Sequence, residues 1–215
     1  MTARQPRGEE RRKQVIEATL RLLAREGPRS VTHRAVAAEA GTSLRSTTYY
    51  FESRQALLRE ALLHYQSTAM DRFAKIASRG LTERGDAIDS AADLLALTVL
   101  SDLEEDRAGL VAELELALEV GRDPTLEATY AAWERGLLDL LEAFATELGA
   151  RDPKRAARVV LATLRGLEIE ALVHPSRKAS RAELRETFSM LLRAIGADAG
   201  ATKTVSKVRA PLKRP

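Results

Sequence analysis

Residues 41–51 read GTSLRSTTYYF, a run of hydroxyls with one leucine and one arginine that ends in three aromatics. Ser43, Ser46 and Thr48 offer short hydroxyls that reach phosphates or base edges. Arg45 carries a guanidinium fork able to pair with guanine O6 and N7, a contact that contributes about 1–3 kcal/mol of base discrimination. Leu44 suits a thymine methyl, and Tyr49 and Tyr50 carry long hydroxyl arms suited to phosphates. Phe51 is expected to pack inward. Arg54 adds a cation at the start of the next helix, whose N-terminal amides also favour phosphate. The flanks, AVAAEA and SRQALLREALL, are strong helix formers, whereas Ser, Thr and Tyr are middling ones. A polar segment between two such helices points to a surface that meets a polyanion rather than to a core.

Other chemistries find little support. The three histidines, His33, His64 and His174, lie far apart in the sequence. Glu60 precedes His64 by four residues, as Glu170 precedes His174, whereas a di-iron carboxylate bundle uses an i, i+3 Glu–His pair. No phosphate-cradling glycine loop and no nucleophile elbow occurs. There is no cysteine, which excludes disulfides, thiolate zinc sites and cysteine catalysis. No metal, no cofactor and no enzymatic activity are expected.

The elements that must position the hydroxyl run are legible from period and punctuation. Val15, Ala18, Leu22 and Leu23 share one face of a helix over 10–26, ended by Gly27-Pro28. Thr32 is a good N-cap for a short helix over 33–40, with Val36, Ala37 and Ala40 inward. Gly41 breaks it, and Thr42-Ser43 caps a third short helix over 44–50. Gly41 permits the positive φ that a tight interhelical turn often needs. Ser53 caps a fourth helix running from Arg54 to about residue 78. Five more helical stretches follow near 86–101, 103–121, 124–149, 152–173 and 179–196. Asp123 and Asp152 each precede a proline, the N-cap followed by Pro at N1.

The fold class is therefore all-α: an N-terminal three-helix helix-turn-helix domain plus a C-terminal helical bundle, about nine helices in total. Residues 9–55 are expected to form the helix-turn-helix domain, 56–197 a second helical domain, and 198–215 a basic disordered tail. Charge is divided along similar lines. Residues 1–80 carry 15 Lys/Arg against 8 Asp/Glu, residues 81–150 carry 4 against 17, and residues 151–215 carry 15 against 6. A basic first third suits a polyanion, and an acidic middle would repel it. The opening MTARQPRGEERRK lacks the apolar core of a signal peptide. The longest stretch free of charged residues is ten residues, 61–70, where a membrane span needs about 20. A cytoplasmic protein without a membrane partner is expected.

In a helix-turn-helix, the second short helix enters the major groove. Over residues 11–65 the sequence resembles the DNA-binding domain of TetR-type transcriptional regulators. The resemblance rests on VIEATLRLLAREG, VTHRAVAAEAG, TSLRSTTYYF and ESRQALLREAL in that order. Thr32, Ala40-Gly41, Tyr50-Phe51 and Ser53-Arg54 fall where that family has a hydroxyl, an Ala-Gly turn, an aromatic-rich helix end and a Ser-Lys-like step. The resemblance implies DNA contacts from Thr32, His33 and Arg34 at the start of the second helix. It implies further contacts from residues 43–46, from Thr48, Tyr49 and Tyr50, and from Arg54. The sequence departs from the family at Thr47, where leucine is common, at Thr48, where an aromatic is common, and at Arg45, where a small residue is common.

Reading two half-sites one helical turn apart requires a symmetric dimer. The stretch 156–172 is apolar on more than one face, so it must be covered on both sides. Val159, Thr163, Gly166 and Leu167 there, with Phe188, Leu191 and Leu192 of the last helix, are the expected dimer interface; the resemblance implies a four-helix one. A fully internal helix is the alternative. Tyr130, Trp133 and Leu137, with Met70, Phe73, Leu94, Leu97 and Leu114, are candidate walls of an apolar effector pocket, though a packed core stripe explains each singly. Glu113, Glu115 and Glu168 fall in apolar stretches, where a buried carboxylate would suit a cationic or hydroxylated ligand. The expected function is a sequence-specific transcriptional regulator, a repressor released from a palindromic double-stranded DNA operator by a small molecule. A helical enzyme or ligand carrier and a sequence-blind DNA-packaging protein are the rivals; the acidic middle argues against the latter.

Overall fold

The computed structural model describes residues 5–80 and 86–196 of the 215-residue chain. The basic tail expected over 198–215 lies outside the described residues. The order is α1 (Gln5–Glu26), a 3-10 turn (Pro28–Ser30), α2 (His33–Glu39), α3 (Leu44–Tyr50), α4 (Arg54–Gly80), α5 (Ala87–Glu104) and α6 (Arg107–Val120). A second 3-10 turn (Pro124–Leu126) leads to α7 (Glu127–Glu147), α8 (Pro153–Val173) and α9 (Arg181–Ala194). Among the described residues every regular element is helical, as the sequence implies.

Local chemistry sets most boundaries. Thr32 Oγ1 accepts the Ala35 N–H at 3.1 Å, Ser43 Oγ accepts the Ser46 N–H at 3.1 Å and Ser53 Oγ accepts the Ala56 N–H at 3.1 Å. Each satisfies one of the amides that a helix start leaves orphaned. Asp86, Asp106 and Asp152 cap α5, α6 and α8, and Ser180 with Glu183 forms a reciprocal capping box on α9. Three helices start away from the sequence expectation: α1 begins at Gln5 rather than 10, α6 at Arg107 rather than 103, and α7 at Glu127 rather than 124. Asp123 and Pro124 initiate a 3-10 turn, and the α-helix begins at Glu127. Asp123 caps that tight turn through Oδ1, which accepts from both the Thr125 N–H and the Thr125 hydroxyl.

The described chain forms two compact units. The first comprises residues up to Thr68 together with Asp106–Ala132, so it takes in α1 to α3, the first half of α4, α6 and the start of α7. Its core joins Val15, Leu23, Phe51 and Leu58 to Ala112 and Leu116 of α6. The second unit comprises Ala69–Glu105 and the chain from Trp133 onward. There α5 packs along α8 and α9, and Ile88, Leu95, Phe144, Val160, Phe188 and Leu192 are buried together. This grouping follows packing and is drawn differently from the division at residue 55 that the sequence suggests, because α6 buries its apolar face among the helix-turn-helix residues.

Candidate nucleic-acid interface

Two short helices meet at a glycine elbow. Gly41 adopts φ 62°, and the Thr42 N–H bonds back to the Ala37 carbonyl at 2.9 Å, ending α2. Val36 and Ala37 are buried, so α2 can lie close to its neighbours. From α3, Thr47 is fully buried, and the following Phe51 is 2% exposed beneath the guanidinium of Arg12, 5.5 Å from the ring centroid. Residues 47 and 51 are one helical turn apart and fix which face of α3 points inward.

The opposite face is bare. Ser43, Leu44, Arg45, Thr48 and Tyr49 are all exposed, with Leu44 45% and Tyr49 80% accessible. Arg45 and Arg34 hold no ion pair among the described residues, whereas Arg21 and Arg25 are both bound to Glu39. Those two bonds, Arg21 first, hold the Glu39 carboxyl below the usual carboxylate range. Arg34 and Arg45 thus remain without an ion pair beside an acid, Glu39, that is already paired.

The hydroxyls divide by what they still offer. Ser43 and Thr32 oxygens accept cap bonds, which leaves each O–H free to donate outward, as a phosphate requires. Thr48 Oγ1 donates to the Leu44 carbonyl at 3.1 Å and lies 3.2 Å from that of Arg45, which leaves its oxygen to accept from a base amino group. Ser46 is half-buried. Tyr50 stacks edge-on against Tyr49 at 5.1 Å, and its hydroxyl lies over Gly8, where a methyl group would sit 3.6 Å away. His33 is half-buried with Nδ1 enclosed and unbonded.

Arg54 is placed differently from the exposed phosphate cation that the sequence suggests. Its Nη2 donates to the Pro28 carbonyl at 2.7 Å and to Glu119 Oε1 at 3.2 Å, and the Arg54 side chain is 28% exposed. Burial also moves His64 of α4, whose pKa is pushed down by desolvation, with the Glu17 charge opposing.

The candidate pocket residues do not all fall in one unit. Met70, Phe73, Leu94, Leu97, Trp133 and Leu137 belong to the second, where Leu94 is core, Phe73 and Leu137 pack on that core, and Trp133 Nε1 is enclosed without a hydrogen-bond partner. Leu114 and Tyr130 belong to the first, where the Tyr130 hydroxyl donates to Glu113 Oε1 at 3.1 Å. Glu113 and Glu168 are buried, at 5% and 3% exposure.

Of the expected dimer residues, Val159, Thr163, Leu167 and Leu191 are half-buried and Gly166 is exposed. Phe188 and Leu192 require correction: at 0% and 1% exposure they fill the core of the single chain and have no surface left for a partner. The open apolar positions are Ile169, Val173 and Met190, at 46%, 65% and 68%. Sequence reasoning did not single out Val173 and Met190 for this role. The signal was present, since Ile169 and Val173 continue the small-residue row of Ala162 and Gly166, and Met190 lies off the Leu184–Phe188–Leu192 stripe.

Comparison with known proteins agrees with this geometry. The family described as bacterial regulatory proteins, tetR family, matches residues 15–61, and the tetracyclin repressor-like C-terminal domain matches residues 82–194. The HTH-type transcriptional regulator PksA of Bacillus subtilis (strain 168) is 40% identical over 73 residues, 34% of this chain. That match spans only 36% of PksA's own length. The multidrug binding protein EbrR, solved with imidazole, is 30% identical over 85% of this chain and 89% of its own, with a TM-score of 0.60. EbrR has also been solved with ethidium and with proflavin. A TetR-family member from Streptomyces coelicolor A3 is 29% identical over 85% of this chain and 98% of its own, with a TM-score of 0.66.

Proposed function

Since the chain belongs to the TetR family and is a DNA-binding transcriptional regulator, we propose that it acts as a homodimeric repressor, released from a palindromic operator by a small molecule. The observation that carries this reading is the outward face of α3, where Leu44, Arg45, Thr48 and Tyr49 stand exposed around a buried Thr47. Seated in a major groove, Arg45 reads guanine and Leu44 a thymine methyl. Thr32, Arg34, Ser43 and Tyr49 hold phosphates and set the register. His33, Ser46 and Tyr50, half-buried at the rim, support that register.

Two copies joined through α8 and α9 place two α3 helices on one face of the duplex. The exposed row of Ala162, Gly166, Ile169 and Val173, with Met190 of α9, supports that pairing. Val159, Thr163, Leu167 and Leu191 border it. Occupying an operator then blocks transcription by occlusion.

The effector site belongs to the second unit, lined by Met70, Phe73, Leu97, Trp133 and Leu137, with the Trp133 N–H free to meet an acceptor. The organic ligands of EbrR support a small-molecule effector. Release is a population shift: the effector must favour a dimer whose α3 helices are misplaced for the operator, and each tenfold loss of affinity needs about 1.4 kcal/mol of coupling.

The test is selection of duplexes from a random-sequence library, followed by a salt-titrated affinity measurement on selected and random duplexes. A specific regulator binds its selected duplex at least about a thousandfold tighter. Equal affinity for both would establish sequence-blind packaging instead.

A further inference from the structure

We propose that Arg54 is a positioning residue that holds the recognition helix to α6 through Glu119, and that it does not contact DNA phosphate. The inference rests on the reading of the protein as a DNA-binding regulator. Arg54 is the first residue of α4, three residues after Phe51, which ends α3 and is buried. Whatever fixes Arg54 therefore fixes the trailing end of the reading helix. Its guanidinium Nη2 donates to two acceptors: the Pro28 carbonyl of the turn after α1, and Glu119 at the end of α6. The next residue, Gln55, lies 3.5 Å from Asp123 Oδ2, a second and weaker link to the same end of α6.

Three features separate this pair from a surface ion pair. Glu119 is 9% exposed and its side chain 12%, so the attraction is screened little by water and salt. The two residues are far apart in sequence, so the bond joins elements rather than decorating one helix. The helix carrying Glu119 is itself seated in the helix-turn-helix core through Ala112 and Leu116, both fully buried, so the anchor is rigid. Arg122 also approaches Glu119, at 3.7 Å, but it follows α6 directly and ties that helix only to itself.

Consequently the reading head has α6 as a third support. Any displacement of α6 along its axis moves Glu119, hence Arg54, hence the end of α3. An arginine whose charge is matched by a shielded glutamate also releases few counterions on DNA binding, in contrast to Arg34 and Arg45.

The experiment measures affinity across a salt series for the duplex that the wild-type protein selects from a random library. The variants are Arg54→Gln, Glu119→Gln, the double variant and Arg54→Lys, with folding of each checked by its unfolding transition. Each single Gln variant is expected to weaken binding about fivefold or more, the low end of what coupling between sites carries. The double variant is expected to be no weaker than the worse single, with the wild-type salt slope throughout. Arg54→Lys keeps the charge but replaces the planar guanidinium, whose Nη2 meets both Pro28 and Glu119, by an ammonium on a shorter stem that cannot occupy the same place, and is expected to bind as weakly as Arg54→Gln; this arm stands even if the glutamine variant does not fold. A salt slope reduced by about 0.9 for each Arg54 lost, or wild-type affinity in Glu119→Gln, would overturn the assignment in favour of a phosphate contact. Failure of the wild-type protein to select any duplex would instead overturn the parent reading, and this inference with it.

Discussion

Thr47 Oγ1 lies 3.3 Å from the carbonyl oxygen of His33, across the elbow between the two short helices, and 2.8 Å from the carbonyl of Leu44 on its own helix. The residue is fully buried. Leucine is common at this position in the family that the sequence resembles, and it would fill the space without tying α2 to α3. The hydroxyl thus adds a polar stitch at the joint that sets the angle of the reading helix. Thr47→Val keeps the volume and deletes the stitch. It is expected to cost about 1 kcal/mol, a fall in Tm of about 2–4 °C, with weaker operator binding. Unfolding curves and an affinity series on a selected duplex check both.

Arg45, exposed on α3, is the residue proposed to read a base. Arg45→Ala is expected to relax preference at one position in each half-site, at a cost of about 1–3 kcal/mol on the preferred base and little on others. Replacing Tyr49 by Phe should weaken all duplexes alike, since a phosphate contact carries no sequence information. Repeating the library selection with each variant distinguishes them; an unchanged base profile for Arg45→Ala would remove its reading role.

The helix boundaries around the reading head were legible because short-range chemistry sets them. Thr32, Ser43 and Ser53 are caps with local partners, and Gly41 takes the positive φ that its place at the elbow suggests. The inward place of Phe51 was legible too, but the sorting of α3 into faces was not: the sequence suggests contacts from Ser46 and Tyr50, which are half-buried, and does not mark Thr47 as the buried residue. Arg54 was not legible, since its partner Glu119 lies 65 residues away and a one-dimensional pattern says nothing about which distant acid will arrive. The burial of Phe188 and Leu192 was hidden by a different ambiguity. An apolar stripe looks the same whether it faces its own core or a partner, and only the packing of α5 along α9 decides. Helical period groups Tyr130 with Trp133, yet the division between the units passes between them.

Gly41 isolates the backbone contribution to the elbow, because nothing lies within 4 Å of where a Cβ would stand. Gly41→Ala therefore meets no clash, only the cost of φ 62° for an L-residue, about 1–2 kcal/mol. Gly41→Asn should be milder, as asparagine visits that region more readily. Chemical denaturation of the two variants checks the order; equal costs would mean that side-chain contacts, not φ, set the preference.

Acid sensitivity has a localised source in the second unit. Arg181 grips Asp93 with two bonds, at 2.8 and 2.5 Å, and that hydrogen-bonded contact holds the Asp93 carboxyl below the usual range. A depressed folded-state pKa adds stability above the unfolded value of about 3.9 and loses it as pH falls through that value toward the folded one. Arg181 is solvent-exposed, so the contribution is expected to be about 0.5 kcal/mol or less. Asp93→Asn should therefore be slightly less stable than wild type at pH 7, with the difference closing below about pH 4. Paired urea curves at the two pH values test this, and a gap that widened in acid would contradict it.

Met190 and Phe188 stand two residues apart on α9 and point to opposite fates. Phe188 is fully enclosed by its own chain, so Phe188→Ala should destabilise the fold by about 3–5 kcal/mol whether or not a dimer forms. Met190 and Val173 are 68% and 65% exposed, so a charge at either costs the single chain almost nothing. If two copies pair through α8 and α9, that charge is forced into an apolar interface with no counterion, and association fails. Met190→Glu and Val173→Glu should accordingly sediment as monomers with normal helix content. They should bind a single half-site duplex no worse than wild type and the full palindrome far more weakly, because the two reading heads are no longer joined. Dimers that persist in both variants at micromolar concentration would move the interface to another face of the protein.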